Sequence, residues 1–136
     1  MASVIIFTND NGGVSVCIPT GEIPIEQVQS KDIPVGVQSF IVDTSMLPEE
    51  DNDFFNAWEQ THGAITVNLD KAKEVTKARL RAQRVPLFAQ QDVMFQRALE
   101  SGGDITAIVG EKQRLRDVTN LADACTTLAE LRALHA

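Results

Sequence analysis

Val4-Ile5-Ile6-Phe7-Thr8-Asn9-Asp10-Asn11-Gly12-Gly13-Val14-Ser15-Val16-Cys17-Ile18 is the stretch whose reading decides the fold. It opens with a β-branched and aromatic run, halts at an Asn/Gly cluster, and resumes with apolar residues at every second position. Asn and Gly readily take the positive φ that tight hairpins need, and alternation with a period of two puts one face of a strand in a core. The stretch predicts an antiparallel β-hairpin.

Working outward, the segment from Pro19 to Pro24 reads as a loop. Ile25-Glu26-Gln27-Val28-Gln29 reads as one or two helical turns starting just inside Pro24, where a proline suits a helix start. Pro34 and Gly36 then interrupt the chain, and Val37-Gln38-Ser39-Phe40-Ile41-Val42-Asp43 alternates again as a third strand. Pro48 and Glu49-Glu50-Asp51 predict a loop. Asp53-Phe54-Phe55-Asn56-Ala57-Trp58-Glu59 predicts a short helix with Phe54 or Phe55 and Trp58 on one face, ended by Gly63. Ala64-Ile65-Thr66-Val67-Asn68-Leu69 reads as a strand or an extended connector.

From Asp70 the pattern changes to long helix, with Asp70 as its expected N-cap and Glu74 favourable near its N-terminus. Leu80, Leu87 and Met94 recur every seven residues, with Phe88, Phe95 and Leu99 beside them, which is an amphipathic face suited to a partner helix. Pro86 lacks the backbone donor, so a kink or break is expected just before it. Ser101-Gly102-Gly103 should stop this helix and Asp104 should cap the next, in which Ile105, Ile108, Leu115 and Val118 share a face. A last helix is expected over 124–134, with Leu128, Leu131 and Leu134 spaced by three. The expected class is α+β. A small antiparallel β-sheet head (1–68) is followed by an α-helical hairpin with a short C-terminal helix (69–136).

Charge sorts the same way. The whole chain of 136 residues carries −7. Residues 1–68 hold ten acids and one base (Lys31), a net of −9, whereas residues 69–136 hold nine acids and eleven bases, a net of +2. An acidic protein with 5% aromatic residues and no tyrosine lacks the basic, ring-rich surface of a general nucleic-acid binder. No apolar run nears the roughly 20 residues that cross a bilayer, and no signal-peptide pattern opens the chain. Cys17 and Cys125 form no CxxC pair; two free thiols in a reducing cytoplasm are expected, with a disulfide left open.

Residues that could carry chemistry are sparse. His62 and His135 are the two histidines, and no spacing pairs either with a nucleophile or groups them with the cysteines as zinc ligands. Asn11-Gly12-Gly13 lacks the Gly-Lys-Ser/Thr of a phosphate loop and leads into a strand. The acids around Glu49 lack the Gly-centred loop and closing Glu of an EF-hand. The basic series Lys71, Lys73, Lys77, Arg79, Arg81 and Arg84 would spread over more than one helix face, as solvated or ion-paired side chains do. No catalytic residue, metal or cofactor is expected. Candidate partner-binding residues are Leu80, Leu87, Phe88, Met94 and Phe95 on the long helix, with Phe54 and Trp58 weighed as core residues or as interface anchors.

Three stretches carry a family resemblance. They are Asn9-Asp10-Asn11-Gly12-Gly13-Val14-Ser15-Val16; Lys31-Asp32-Ile33-Pro34-Val35-Gly36-Val37, through Ile41-Val42-Asp43 and Leu47-Pro48 to Phe54 and Ala57-Trp58; and Arg79-Leu80-Arg81-Ala82-Gln83-Arg84-Val85-Pro86-Leu87, on through Asp92, Ala98-Leu99 and Leu115-Arg116-Asp117-Val118. Together they resemble small proteins of tailed bacteriophages and prophages. The last stretch is similar to the helical segment of phage tail and tail-fibre assembly chaperones, with Asp92-Val93 where those often carry Asp-Trp. The resemblance implies a non-enzymatic protein of the host cytoplasm during assembly, or of the virion tail. Its implied partner is a tail or tail-fibre subunit, a trimeric fibre among them, and self-association stays open. The alternatives are a head or neck accessory protein and a regulatory protein that binds nucleic acid or a host factor.

Overall fold

The computed structural model describes residues 2–136. They form an α+β fold of two compact units, Met1–Lys71 and Ala72–Ala136.

In the first unit, β1 (Ser3–Thr8) and β2 (Val14–Cys17) form the expected hairpin, and β3 (Ser39–Asp43) pairs with the other side of β1, giving the order β2-β1-β3, antiparallel throughout. Asn9 shapes the turn: its Oδ1 accepts from the backbone N–H of Asn11 and of Gly13, and Gly12 takes φ +81°. Because side chains alternate across a strand, β1 serves two cores at once. Val4 and Ile6 join Val14 and Trp58 on one face. Ile5 joins Val28 and Ile33 on the other, beneath helix α1 (Ile25–Asp32). That is why the opening run is continuously apolar, whereas β2 alternates.

Three expectations for this unit are corrected. Residues 53–59 are not a helix of their own: a 3₁₀ segment spans Glu49–Ala57, and Trp58 starts a strand, β4 (Trp58–Thr61), paired with β5 (Ala64–Val67). The i, i+4 spacing of Phe54 and Trp58 is real, but Trp58 is extended and buried against Val4, Ile6 and Val14, so tertiary burial overrides the local period. Gly63 ends no helix. His62 (φ +51°) and Gly63 (φ +85°) make the two-residue turn between β4 and β5, a geometry suited to right-twisted strands. Finally, Asn68 and not Asp70 caps the long helix, its Oδ1 accepting from the N–H of Lys71.

That helix, α2 (Leu69–Ser101), continues through Pro86, so of the kink or break expected over 81–85 the break is absent. Pro86 removes one backbone donor, and Arg84, two residues before it, ties this part of the helix to the carbonyls of Leu115 and Arg116. Gly102 (φ +70°) closes the helix. The N–H of Gly103 reaches Ala98 O and that of Gly102 reaches Leu99 O, the paired bonds of a Schellman end. Asp104 then accepts from Thr106 N and Oγ1 at the start of α3 (Thr106–Asp117). In place of one helix over 124–134 there is a 3₁₀ segment (Val118–Ala124) and a short α4 (Leu128–Arg132), capped by Thr127, whose Oγ1 accepts from Glu130 N.

Candidate functional site

The second unit is an antiparallel helical pair, and its polar contacts give the register. Ascending α2, Lys77 meets Asp123, Arg84 meets Leu115 and Arg116, and Asp92 meets Lys112. Partner numbers fall as α2 numbers rise, as antiparallel packing requires. On another side of α2, Arg79 Nη2 donates to the carbonyls of Leu131 (2.9 Å) and Leu134 (2.8 Å) at the end of α4, and Gln83 Oε1 accepts from Ala136 N.

These contacts occupy most of the basic series. Lys71 pairs with Glu59 at 3.0 Å within the first unit; Lys73 donates to Asp123 O, and Lys77 lies 2.7 Å from Asp123 Oδ1. With Arg79 and Arg84 bound to carbonyls, Arg81 alone of the six has no polar partner among the described residues, and it is exposed. Hydrogen bonding to Lys77 holds the Asp123 carboxyl below the usual carboxylate range, and the same contact pushes Lys77 up. Glu59 is lowered first by Asn68 Nδ2 and then by Lys71.

The seven candidate residues divide. Leu80, Phe54 and Trp58 are buried, and Trp58 is fixed further by its Nε1, which donates to Asp51 O at 3.1 Å. They build cores and present no open surface. Phe88 and Phe95 are half-buried, each with a cation near its ring: Arg84 lies 5.8 Å from the Phe88 centroid and Lys112 lies 4.7 Å from that of Phe95. Cation–π contact of this kind commits the ring faces internally. Leu87 is half-buried as well, and Met94, 43% exposed, is the most open of the seven. Beyond Leu80 no residue of α2 is buried, although Val85, Val93 and Leu99 also lie there and are exposed. Val85 and Val93 fall outside the heptad row of Leu80, Leu87 and Met94.

The first unit carries a second feature that sequence reasoning missed. Beside β2 is an apolar recess of about 420 Å³, with Val16, Leu47 and Trp58 among its lining and Ile18, Phe55 and Glu49 around them. A second recess of about 250 Å³ continues on the Val14 side, sharing Phe55 and adding Asn11 and Asn56. Ile18 is 76% exposed, and Phe55 packs on Trp58 with ring centroids 4.9 Å apart. Nothing in the spacing of Val16, Leu47 and Phe55 announces that they meet.

Cys17, half-buried, and Cys125, buried, are both free thiols. His62 sits exposed in the β4–β5 turn. Among the described residues no three His, Cys, Asp or Glu side chains converge as a metal site, and no helix is long and apolar enough to cross a membrane. No family model, curated protein or solved structure matches the chain.

Proposed function

We propose that this chain is a non-enzymatic bacteriophage protein that binds a tail or tail-fibre subunit through the distal half of its helical hairpin, as a virion tail component or as an assembly chaperone. The observation that carries the reading is the lack of any buried residue on α2 after Leu80, over a stretch that keeps Leu87, Val93, Met94 and Leu99. Helices draw most of their stability from burying an apolar face, and a hairpin of two helices buries each on one side only. Leu87 and Met94, seven residues apart and so nearly in line along the helix, offer the face that a further helix would cover. The phage setting is supported by the resemblance carried by Asn9–Val16 and by the Arg79–Leu87 and Leu115–Val118 segments. With most of the basic series held by intramolecular partners, the nucleic-acid alternative has less to stand on.

The test is co-purification of the chain with phage tail and tail-fibre subunits co-expressed with it. Leu87→Asp combined with Met94→Asp should weaken capture at least tenfold while circular dichroism stays unchanged, since neither residue is buried. Undiminished capture by the double variant would remove this face as the interface. Mass spectrometry of purified virions then separates the two roles. A fixed low copy number marks a tail component, and absence from particles marks a chaperone.

A further inference from the structure

The core around Trp58 is closed unevenly. Val16 and Leu47 pack against it, and at their margin the apolar recess of about 420 Å³ stays unfilled. Its aromatic lining offers carbon surface. The Trp58 indole N–H is spent on Asp51 O, and the Phe55 ring packs on Trp58 at 4.9 Å. Ile18, 76% exposed, and Phe55, 37% exposed, form the open part of the lining. Large apolar side chains gathered around an unfilled apolar hollow are what the anchoring side chain of a partner covers.

Two observations choose what enters. The first is charge. Glu49 lines the recess and is exposed, and its carboxylate has no polar partner among the described residues. No Lys or Arg of the described residues is in the lining. Residues 1–68 carry −9, and their one base, Lys31, belongs to α1, which packs on the opposite, Ile5 face of the sheet. An anionic ligand, or the equally acidic head of a second copy, is repelled there, whereas a cation beside an apolar group is attracted. The second observation is the adjoining recess of about 250 Å³, which shares Phe55. Asn11 and Asn56 line it, both exposed, and neither side-chain amide has a hydrogen-bond partner among the described residues. A carboxamide both donates and accepts, which suits the alternating N–H and C=O groups of a peptide main chain.

We propose that this recess is an anchor site for a short apolar and basic segment of a partner protein. One large aliphatic side chain of the segment fills the hollow over Trp58, and a Lys or Arg next to it faces Glu49. The segment's main chain meets the amides of Asn11 and Asn56. The site lies in the first unit and stands or falls independently of the helical face proposed above.

Trp58 is the one tryptophan of the chain, so its fluorescence reports occupancy of the recess. The probe is a blocked pentapeptide with leucine at its centre, lysine on either side and glycine at each end, titrated into the full chain. Its emission shift should saturate, with a midpoint below about 1 mM. The same peptide with alanine for leucine should bind at least tenfold more weakly. With glutamate for lysine the loss should again be at least tenfold at low salt, and should narrow as salt rises. Glu49→Lys should weaken the lysine peptide about tenfold and Ile18→Ser about threefold, both with unchanged circular dichroism because both positions are exposed. No saturable shift at millimolar peptide, equal binding of the alanine or glutamate forms, or undiminished affinity in Glu49→Lys would each overturn the proposal. Hexylammonium binding as tightly as the peptide would overturn it in favour of a small cationic amphiphile. A concentration-dependent shift in the chain alone, with dimers in sedimentation, would overturn it in favour of a second copy.

Discussion

Lys77 Nζ lies 2.7 Å from Oδ1 of Asp123, joining the first third of the long helix to the 3₁₀ segment that follows α3. Lys77 also meets Glu74 at 3.5 Å, and Lys73 donates to the Asp123 carbonyl, so several groups meet at one point.

This contact sets a pH dependence. Asp123 is lowered chiefly by its hydrogen bond to Lys77. Its contribution is therefore present above the carboxylate's unfolded pKa and lost as pH falls through the lowered native value. Lys77 is raised chiefly by the same bond, so its contribution is present below the ordinary lysine value and lost as pH rises through the raised one. Asp123→Asn should accordingly be less stable than the parent near neutrality, and the two should converge in acid, below the lowered native value of the carboxyl. Urea denaturation at the two pH values checks this; a difference that persists unchanged in acid would assign the effect to something other than the ion pair.

Leu80 has no exposed surface, whereas Leu87 is half-buried. Truncating a buried leucine leaves a cavity, so Leu80→Ala should cost about 3 kcal/mol, and Leu87→Ala should cost less than about half of that. Chemical denaturation of the pair gives the comparison, and equal losses would contradict the packing described for α2.

Arg79 holds the chain's C-terminal turn, its Nη2 donating to the carbonyls of Leu131 and Leu134. Replacement by methionine keeps the aliphatic stem and removes both bonds, each typically worth about 1 kcal/mol or somewhat more from a charged donor. We expect faster amide exchange confined to 128–136, with α2 and α3 still protected. Uniform loss of protection would mean that α4 and the other helices unfold together.

Gly63 sits at φ +85°, and a Cβ there would lie 3.4 Å from the Phe40 ring and Cβ. Left-handed backbone costs an L-residue about 1–2 kcal/mol, so Gly63→Ala should lose at least that. Thermal melts compared with Gly21→Ala calibrate the crowding, since Gly21 also has positive φ but no neighbour within 4 Å.

Pro86 lies exposed inside α2, which stays helical around it. A proline in a helix interior is about 3 kcal/mol less favourable than alanine, though its stiffening of the unfolded chain offsets part of that. Pro86→Ala should therefore raise stability by about 1–2 kcal/mol, measured by denaturant unfolding.

Much of the fold was legible where one local signal sufficed. The Asn9–Gly13 cluster, the apolar run before it and the alternation after it, Pro24 before α1, the third strand and the Gly102-Gly103 stop are short-range facts about dihedral preference and patterning, and the structure keeps each. Failures came where two signals competed. Phe54 and Trp58 stand at helical spacing, yet Trp58-Glu59-Gln60-Thr61 also alternates. The burial of Trp58 decided for a strand, and no window of sequence contains that energy. Likewise His62-Gly63 carries a readable turn signal, because His tolerates the left-handed region better than most residues, but the expected helix masked it.

The candidate site divides along the same line. Leu80, Leu87 and Met94 read identically as a heptad row, and only the fold buries the first and leaves the last exposed. By itself, the sequence determined the hairpin, the long helix and its stop, and the acidic first half, since all of these depend on residues adjacent in the chain. Tertiary structure alone decided which apolar residues are spent in the cores, which bases are held by carboxylates and carbonyls, and that Val16, Leu47, Phe55 and Trp58 meet around an apolar recess. Those outcomes depend on which distant surfaces meet, and burial free energy is fixed only when they do.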